Sequence, residues 1–469
     1  MHSNMSNVDT EKNLMNAIVS LAKRRGFVFP SSEIYGGLAN TWDYGPLGVL
    51  MKKNIKEAWW QRFIMSRDDM VGLDAAILMN PAVWVASGHV SNFHDALVDC
   101  KSCRSRFRAD HLIENTLNIQ AEGLSLADMT KVIEENKIDC PNCKGKLTAA
   151  RQFNTMFTTH LGPLEESESV VYLRPETCQA IFVDFVSILN STRKKLPFGV
   201  GQIGKSFRNE ITPGNFIFRV LELEQMEIEY FVKPGDDVAA FEVWLKAMQD
   251  WYADLGIKKE NLRVREHEAD ERSFYSSRTV DIEYKYPFGW KELQGIADRT
   301  DYDLKQHAKA SGQDLSYFDE ETKERIVPYV IEPSVGVDRL FLTLLADAYE
   351  EEVINKEKND IRTVLHLHPG IAPVTIAILP LMKKDGMAEK AKELYTKLAK
   401  RFSVQYDESG SIGKRYRRQD EIGTPFALTI DYDTLKDDTV TIRYRDSMKQ
   451  ERIKISDVSS IVMEACDNA

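Results

Sequence analysis

The sequence predicts an α+β protein in three parts: a large domain on an antiparallel sheet with flanking helices, a cysteine-bearing insertion within it, and a C-terminal α/β domain. Three observations lead there. Two Cys-x-x-Cys pairs, Cys100/Cys103 and Cys140/Cys143, interrupt the hydrophobic segments over 97–150. The stretch 205–231 reads as two β runs joined by Thr212, Pro213, Gly214 and Asn215, whose turn chemistry suits a hairpin with a short loop. Beyond Pro369 and Pro373, strand-like and helical runs alternate, the pattern of a mostly parallel sheet. A chain of 469 residues also has room for about three domains.

Taken in order, the spacing of Leu14, Ile18 and Leu21 predicts a helix over 8–25, and KKNIKEAWWQRF belongs to a second over 47–63. The large domain takes residues 1–96 and 151–365, and the insertion at 97–150 carries a charged helical piece, SLADMTKVIEENK. Residues 233–290 read as a further insertion, with a helix over 237–254 and strands near 261–265 and 279–286. From Pro328 the strand PYVIEP meets Gly336 and passes into a helix whose Val337, Leu340, Phe341, Leu344 and Leu345 form one apolar stripe. The acidic YEEEVINKEKND (349–360) leads toward a linker. The C-terminal domain, 366–469, follows as VTIAILP, a helix over 387–402, SVQY, FALTID and TVTIRYR.

A net charge of −11 excludes a protein that coats nucleic acid through bulk positive charge. Any such contact must be local, and residues 383–418 supply a patch: eleven Lys or Arg against five Asp or Glu, a net of +6. Within it Lys414, Arg415, Arg417 and Arg418 are the candidates for phosphate contacts. The N-terminus lacks a basic-then-apolar leader pattern, and no apolar run is long enough to span a bilayer, so a cytoplasmic protein is expected. Six cysteines are too few for a disulfide scaffold. The four in CxxC pairs can present four thiolates to one tetrahedral ion, which predicts a closed, structural Zn²⁺ site.

Two further places carry charge where a fold would have to accommodate it. Arg208 and Glu210 are two apart and so share one face of a strand, while Arg219, Leu223, Gln225 and Glu227 share a face of the returning strand. Such a face is costly to bury dry: arginines suit phosphates, and carboxylates suit amino groups or Mg²⁺. The strand-to-helix junction at PSVGVDRLF leaves free backbone N–H groups able to receive an anion, and Arg339 falls off the apolar stripe.

FRNE with its returning FR strand, followed by GVDR opening a helix, resembles two signature motifs of class II aminoacyl-tRNA synthetases, and WWQRF resembles the first, which builds a dimer interface. The blocks SSEIYGG, WDYGPLG, ASGHVSNF, FRADH, LRPET, FRNEITPGNF, EQMEIEYF and EPSVGVDRLF are similar to glycyl-tRNA synthetases of the homodimeric, single-polypeptide type, and GSIGKRYRRQDEIGTPFALTID resembles the anticodon-binding domain of that group. The resemblance implies a class II catalytic domain with a zinc-ribbon-like insertion. It implies glycine activation by ATP to glycyl adenylate, then transfer to the 3′ end of tRNA(Gly) by a homodimer. Arg208 and Arg339 are the implied catalytic residues. Arg208 would hold the α-phosphate, Glu210 the adenine amino group, and Arg219 and Arg339 the γ-phosphate. Asn209, Phe218, Leu223, Gly336, Val337 and Asp338 would complete the ATP site, with Leu293 beside the nucleotide and Glu292 on Mg²⁺. Glycine would meet Glu176, Glu224, Gln225, Glu227, Glu332 and Ser334, with Arg108 and Arg299 as candidates for its carboxylate. The basic cluster at 414–418 would touch tRNA.

The chain departs from the family pattern on the return strand, where Leu221 and Leu223 stand in place of a basic and an aromatic residue. Two other readings stay open: another class II synthetase with the same tail, such as the prolyl enzyme, and a non-catalytic synthetase-like paralogue that binds nucleic acid.

Overall fold

The computed structural model describes residues 3–121, 123–163, 169–211, 214–273 and 275–467. Its centre is a seven-stranded sheet of β1 (Met70–Gly72), β2 (Phe198–Phe207), β3 (Glu222–Val232), β4 (Leu262–Glu266), β5 (Arg278–Tyr286), β6 (Gly289–Thr300) and β7 (Tyr329–Gly336), in the order β4-β5-β6-β7-β3-β2-β1. All neighbours are antiparallel except β1, which runs parallel to β2. The alternation along β3 explains the layering: Met226, Ile228, Tyr230 and Val232 enter the main core, while Gln225, Glu227 and Glu229 point to the other face. On the apolar face lie α1 (Ser3–Arg25), α2 (Pro46–Trp60), α3 (Asp237–Asp254) and α4 (Val337–Ala348). The opposite face is closed at one end by the short helices Cys178–Val183 and Phe185–Thr192, whose Phe182 and Phe185 pack on Phe231 and Phe198.

Four expectations change, the last of them in the C-terminal sheet. Residues 233–290 do not form an insertion, because β4 and β5 complete the main sheet and α3 packs beneath it. The hairpin strands are shorter than expected. Strand pairing ends at Phe207 and Glu222, so Arg208, Glu210 and Arg219 lie in the long loop between them rather than on strands. The described part of the loop is drawn inward because Phe216 and Ile217 are buried, Phe216 edge-on to Trp42 at 4.8 Å. Thr212 and Pro213 lie outside the described residues. Residues 349–360 are not a bare linker but most of an antiparallel hairpin, Tyr349–Asn355 with Asp360–Leu365.

The insertion is a small unit with its own core. A three-stranded sheet (His94–Asp99, Arg106–Arg108, Arg151–Asn154) and the helices Ala109–Leu117 and Leu126–Glu135 enclose Val98, Ile113, Met129 and Ile133. The C-terminal domain has five strands in the order 404–406, 376–380, 426–430, 439–444 and 450–454. Only the first three are mutually parallel; the last two return as hairpins, so the sheet is mixed rather than mostly parallel. No helix among the described residues is long and apolar enough to cross a membrane.

Candidate active site

The polar face of the sheet floors a cavity of about 360 Å³ into which the loop, β3, β5, β6, β7 and the start of α4 all project. Its outer part holds three arginines. Arg339 pairs with Glu292 at 2.9 Å and lies over the Phe218 ring at 4.7 Å, and Phe218 is itself edge-on to the stacked pair Tyr286 and Phe288. Arg219 pairs with Glu210 at 3.0 Å. Arg208 differs: its Nε donates to the Pro175 carbonyl at 2.9 Å and its guanidinium faces the Phe93 ring, but it has no carboxylate ion-pair partner among the described residues. It is therefore the arginine of the three without an ion pair among the described residues, its charge reaching Glu292 only at longer range. The Arg339 charge, with burial working against it, holds the Glu292 carboxyl below its usual range.

The inner part is acidic. Glu176, Glu227 and Glu332 line it with Gln225 and Ser334. Burial opposes ionisation of Glu176, but the His89 ring at 3.0 Å and the Arg299 charge hold its carboxyl well below the usual range. Glu227 accepts hydrogen bonds from the Thr177 backbone N–H at 3.1 Å and from the Thr177 hydroxyl. Burial pushes the Glu332 carboxyl up, and Arg299, at 2.9 Å, opposes that push. Arg299 is locked from its other side by both oxygens of Asp303, at 2.7 and 2.9 Å. Gln225 accepts from the Ser206 hydroxyl at 2.6 Å and reaches Ser334 at 3.4 Å. Behind the entrance, a Cβ at Gly204 would strike Arg174 Nη2 at 2.1 Å, so only glycine there leaves Arg174 free to hold the Lys205 and Ala75 carbonyls.

In the insertion, Cys100 Sγ lies 3.5 Å from Cys143 Sγ and Cys103 Sγ 3.6 Å from Cys140 Sγ. All four sulfurs fall within 4.8 Å of one another. Both pairs sit in the same turn: Arg104 and Lys144 have positive φ, and their N–H groups return to the Cys100 and Cys140 carbonyls at 3.0 and 2.9 Å. A Cβ at Gly145 would meet Ser102 Oγ at 2.5 Å, so the second turn closes on the first only through a glycine. A tetrahedral Zn²⁺ with four thiolates at about 2.3 Å has sulfurs roughly 3.8 Å apart, and this cluster fits it.

A model of the class II tRNA synthetase core domain (G, H, P, S and T) matches residues 157–349, and a model of the anticodon binding domain matches 375–465. The glycine–tRNA ligase of Alkaliphilus oremlandii (strain OhILAs) is 58% identical over 461 residues, covering 97% of this chain and 99% of that one. The chain belongs to the glycine–tRNA ligase family. The ligase of Clostridium perfringens (strain 13 / Type A) is 57% identical over 463 residues, with 97% and 98% covered. A Giardia lamblia prolyl-tRNA synthetase solved with prolyl-adenylate aligns with a TM-score of 0.65 at 16% identity, covering 98% of this chain and 80% of that one, which speaks to the shared fold alone.

Against the ligase expectations, the cavity gathers Arg208, Glu210, Phe218, Arg219, Leu223 and Glu292 at one end, with Gly336, Asp338 and Arg339 from the β7–α4 junction. Other residues lie elsewhere. Leu293 and Val337 are core residues, at 1% and 0% exposure, and Asn209 meets Thr155 through its backbone. Glu224 points to the opposite face of β3 from Gln225 and Glu227, where Lys52 and Lys56 hold it at 3.1 and 2.8 Å. Asp338 borders the cavity but is engaged by Lys52 at 3.0 Å, by the Tyr44 hydroxyl and by the Glu224 N–H at 2.9 Å, and so anchors the start of α4. Arg108 is held by Asp95 and Asp110 outside the cavity. Arg299 stands behind Glu332 rather than on the lining.

In the C-terminal domain Arg415 is buried, donating to the Pro380 carbonyl at 2.6 Å, so it braces the sheet instead of facing a partner. Lys414 is exposed, and Arg417 and Arg418 are partly exposed with Asp360 and Asp407 as partners. Sequence reasoning missed His89, the His267–Asp281 pair at 2.8 Å, Tyr275 on the lining, and Glu229. Only Glu229 had left a signal, since the alternation that groups Gln225 with Glu227 continues to it.

Proposed function

We propose that the protein activates glycine with ATP, forming glycyl adenylate and pyrophosphate, and then transfers the glycyl group to the 3′ end of tRNA(Gly). The observation that carries this is the single cavity in which arginines and buried carboxylates occupy opposite ends. Activation requires in-line attack of a carboxylate on the α-phosphate, which is chiefly positioning and charge stabilisation. Arg208, without an internal counter-ion, takes the α-phosphate and the incoming glycine carboxylate. Arg219 and Arg339, already carrying Glu210 and Glu292, hold the outer phosphates. Leu223 packs against the purine without an aromatic face. Glu176, Glu227 and Glu332 receive the glycine ammonium, with Ser334 and Gln225 beside them, and Arg299 holds Glu332 in place.

Glu292 and Asp281 both border the cavity, and the charge of Glu292, after burial, helps raise the Asp281 carboxyl. Neighbouring carboxylates of this kind suit a hard cation, so they would hold the Mg²⁺ that accompanies ATP and offsets its charge. Selection of glycine follows from size, since an extra methyl against a packed wall costs roughly 1–3 kcal/mol and larger side chains do not fit. The decisive assay is ATP–pyrophosphate exchange with each of the twenty amino acids. Exchange with glycine alone is expected; exchange driven by proline, or none with any amino acid, overturns the reading and favours one of the two alternatives.

The cysteine cluster holds a structural Zn²⁺, which with all four positions taken by sulfur braces the insertion and leaves no open site for water. Lys414, Arg417 and Arg418 meet tRNA phosphates. The protein works as a cytoplasmic homodimer, a reading supported by the family and by Ile34, Tyr35 and Leu38, which stand 89%, 87% and 63% exposed around one short turn. One preparation tests both statements. About one zinc per chain is expected by elemental analysis, and sedimentation at twice the chain mass. Metal-free folded protein refutes the first, and a monomer at assay concentration refutes the second.

A further inference from the structure

Directly behind the ammonium pocket the sheet register places a carboxyl with no partner. Glu229 is fully buried, and neither of its carboxylate oxygens has a hydrogen bond among the described residues. The β3–β7 register pairs Glu227 with Ser334 and Tyr230 with Ile331, which sets Glu229 across from Glu332. Carboxylate oxygens of Glu227, Glu229 and Glu332 and the Cys178 sulfur lie within 4.8 Å of one another. On its other side Glu229 is registered with Val200 of β2, which offers no polar side chain.

Two carboxylates facing each other in a dry interior do not both ionise. Glu332 has Arg299 at 2.9 Å, whereas Glu229 has no cation of its own, so the proton belongs on Glu229. The charged and titratable groups that face it are Glu227 on its own strand, Glu332 on β7, Arg299 on β6, Asp303 on the helix Tyr302–Ser311 and Cys178 on the helix behind. Arg299 is ion-paired with Glu332 and Asp303, so its charge reaches Glu229 only at longer range. Burial, with Glu332, Glu227 and Asp303 adding to it and the Arg299 charge opposing it, pushes the Glu229 carboxyl well up.

We propose that Glu229 keeps a proton while the pocket lacks substrate, and that entry of the glycine ammonium expels it, so that glycine binding releases a proton to solvent. The step is an acid dissociation: the Glu229 O–H bond breaks, the proton passes to a buffer base, and the carboxylate left behind balances the new ammonium charge. Glu229 is thereby a positioning residue, acting through the electrostatics of the pocket rather than by touching glycine. The inference rests on the assignment of the ammonium to Glu176, Glu227 and Glu332.

Calorimetric titration of the full-length protein with glycine near neutral pH, in phosphate and in Tris, tests it, because a released proton makes the binding enthalpy depend on the buffer. About half to one proton per glycine is expected to be released, with apparent affinity rising with pH by up to about tenfold per unit around neutrality. Glu229→Gln, isosteric and permanently uncharged, is expected to abolish both the release and the pH dependence. Cys178→Ser, which removes the buried thiol of the cluster, is expected to keep them. Equal enthalpies in the two buffers, release surviving in Glu229→Gln, or release lost in Cys178→Ser would each overturn the proposal. Binding heat without proton release defeats only this inference, whereas unchanged glycine affinity in Glu227→Gln defeats the pocket assignment beneath it.

Discussion

Arg208→Ala is expected to lower glycine-dependent pyrophosphate exchange by about 10²–10³-fold, the loss typical when one preorganised donor to a developing charge is removed. The reason lies in the difference among the three cavity arginines. Arg219 and Arg339 already face Glu210 and Glu292 at 3.0 and 2.9 Å, so part of their charge is spent before a phosphate arrives. Arg208 is aimed by the Pro175 carbonyl and the Phe93 ring, neither of which neutralises it. Its removal should therefore act on kcat, while Arg339→Ala should chiefly raise the KM for ATP. Arg208→Lys keeps the charge but loses the planar fork, and partial recovery is expected. Exchange within threefold of the parent, in an Arg208→Ala protein with an unchanged circular dichroism spectrum, would remove Arg208 from the mechanism.

The second large effect concerns stability at the junction between the catalytic and C-terminal domains. Arg362, whose side chain is fully buried, donates to Asp420 at 2.9 Å, to Glu352 at 2.8 Å and to the Arg445 carbonyl at 2.5 Å. It thereby ties the hairpin 349–365 to the helix Ile412–Glu421 and to the end of the strand Thr439–Tyr444. Arg362→Ala leaves Glu352 without that partner, and among the described residues Asp420 keeps Arg443, at 2.8 Å. Breaking a buried pair from one side costs about 3–5 kcal/mol. The transition that reports the C-terminal domain should fall by roughly 12 °C or more. Pyrophosphate exchange, which needs only the catalytic cavity, should persist while tRNA charging falls. An unchanged melting profile would show that the junction is held by other contacts.

The chemistry-bearing residues were legible wherever one local rule governed them. The CxxC pairs announced their cluster because two short turns bring four sulfurs together whatever surrounds them. Gly336 with Arg339 announced the β7–α4 junction because a strand ending at a helix start is local geometry. The hairpin residues were harder. Arg208, Glu210 and Arg219 reach the cavity, yet from a loop whose path is decided by burial of Phe216 and Ile217 against Trp42 and the core, a contact with residues far away in sequence. Arg415 shows the converse error. Its helix is as basic as a nucleic-acid contact requires, but that side chain turns inward to the Pro380 carbonyl, and composition carries no direction.

By itself the sequence determined the family, the metal-ligand spacing, the longest helices and the residue types at both ends of the cavity, because periodicity and motif spacing are properties of neighbours along the chain. Tertiary structure decided the rest. It made 233–290 part of the main sheet, turned Glu224 toward lysines and away from the cavity, and set Glu229 opposite Glu332. These outcomes depend on strand order and register, which are set by the burial of one whole sheet face and not by any single segment.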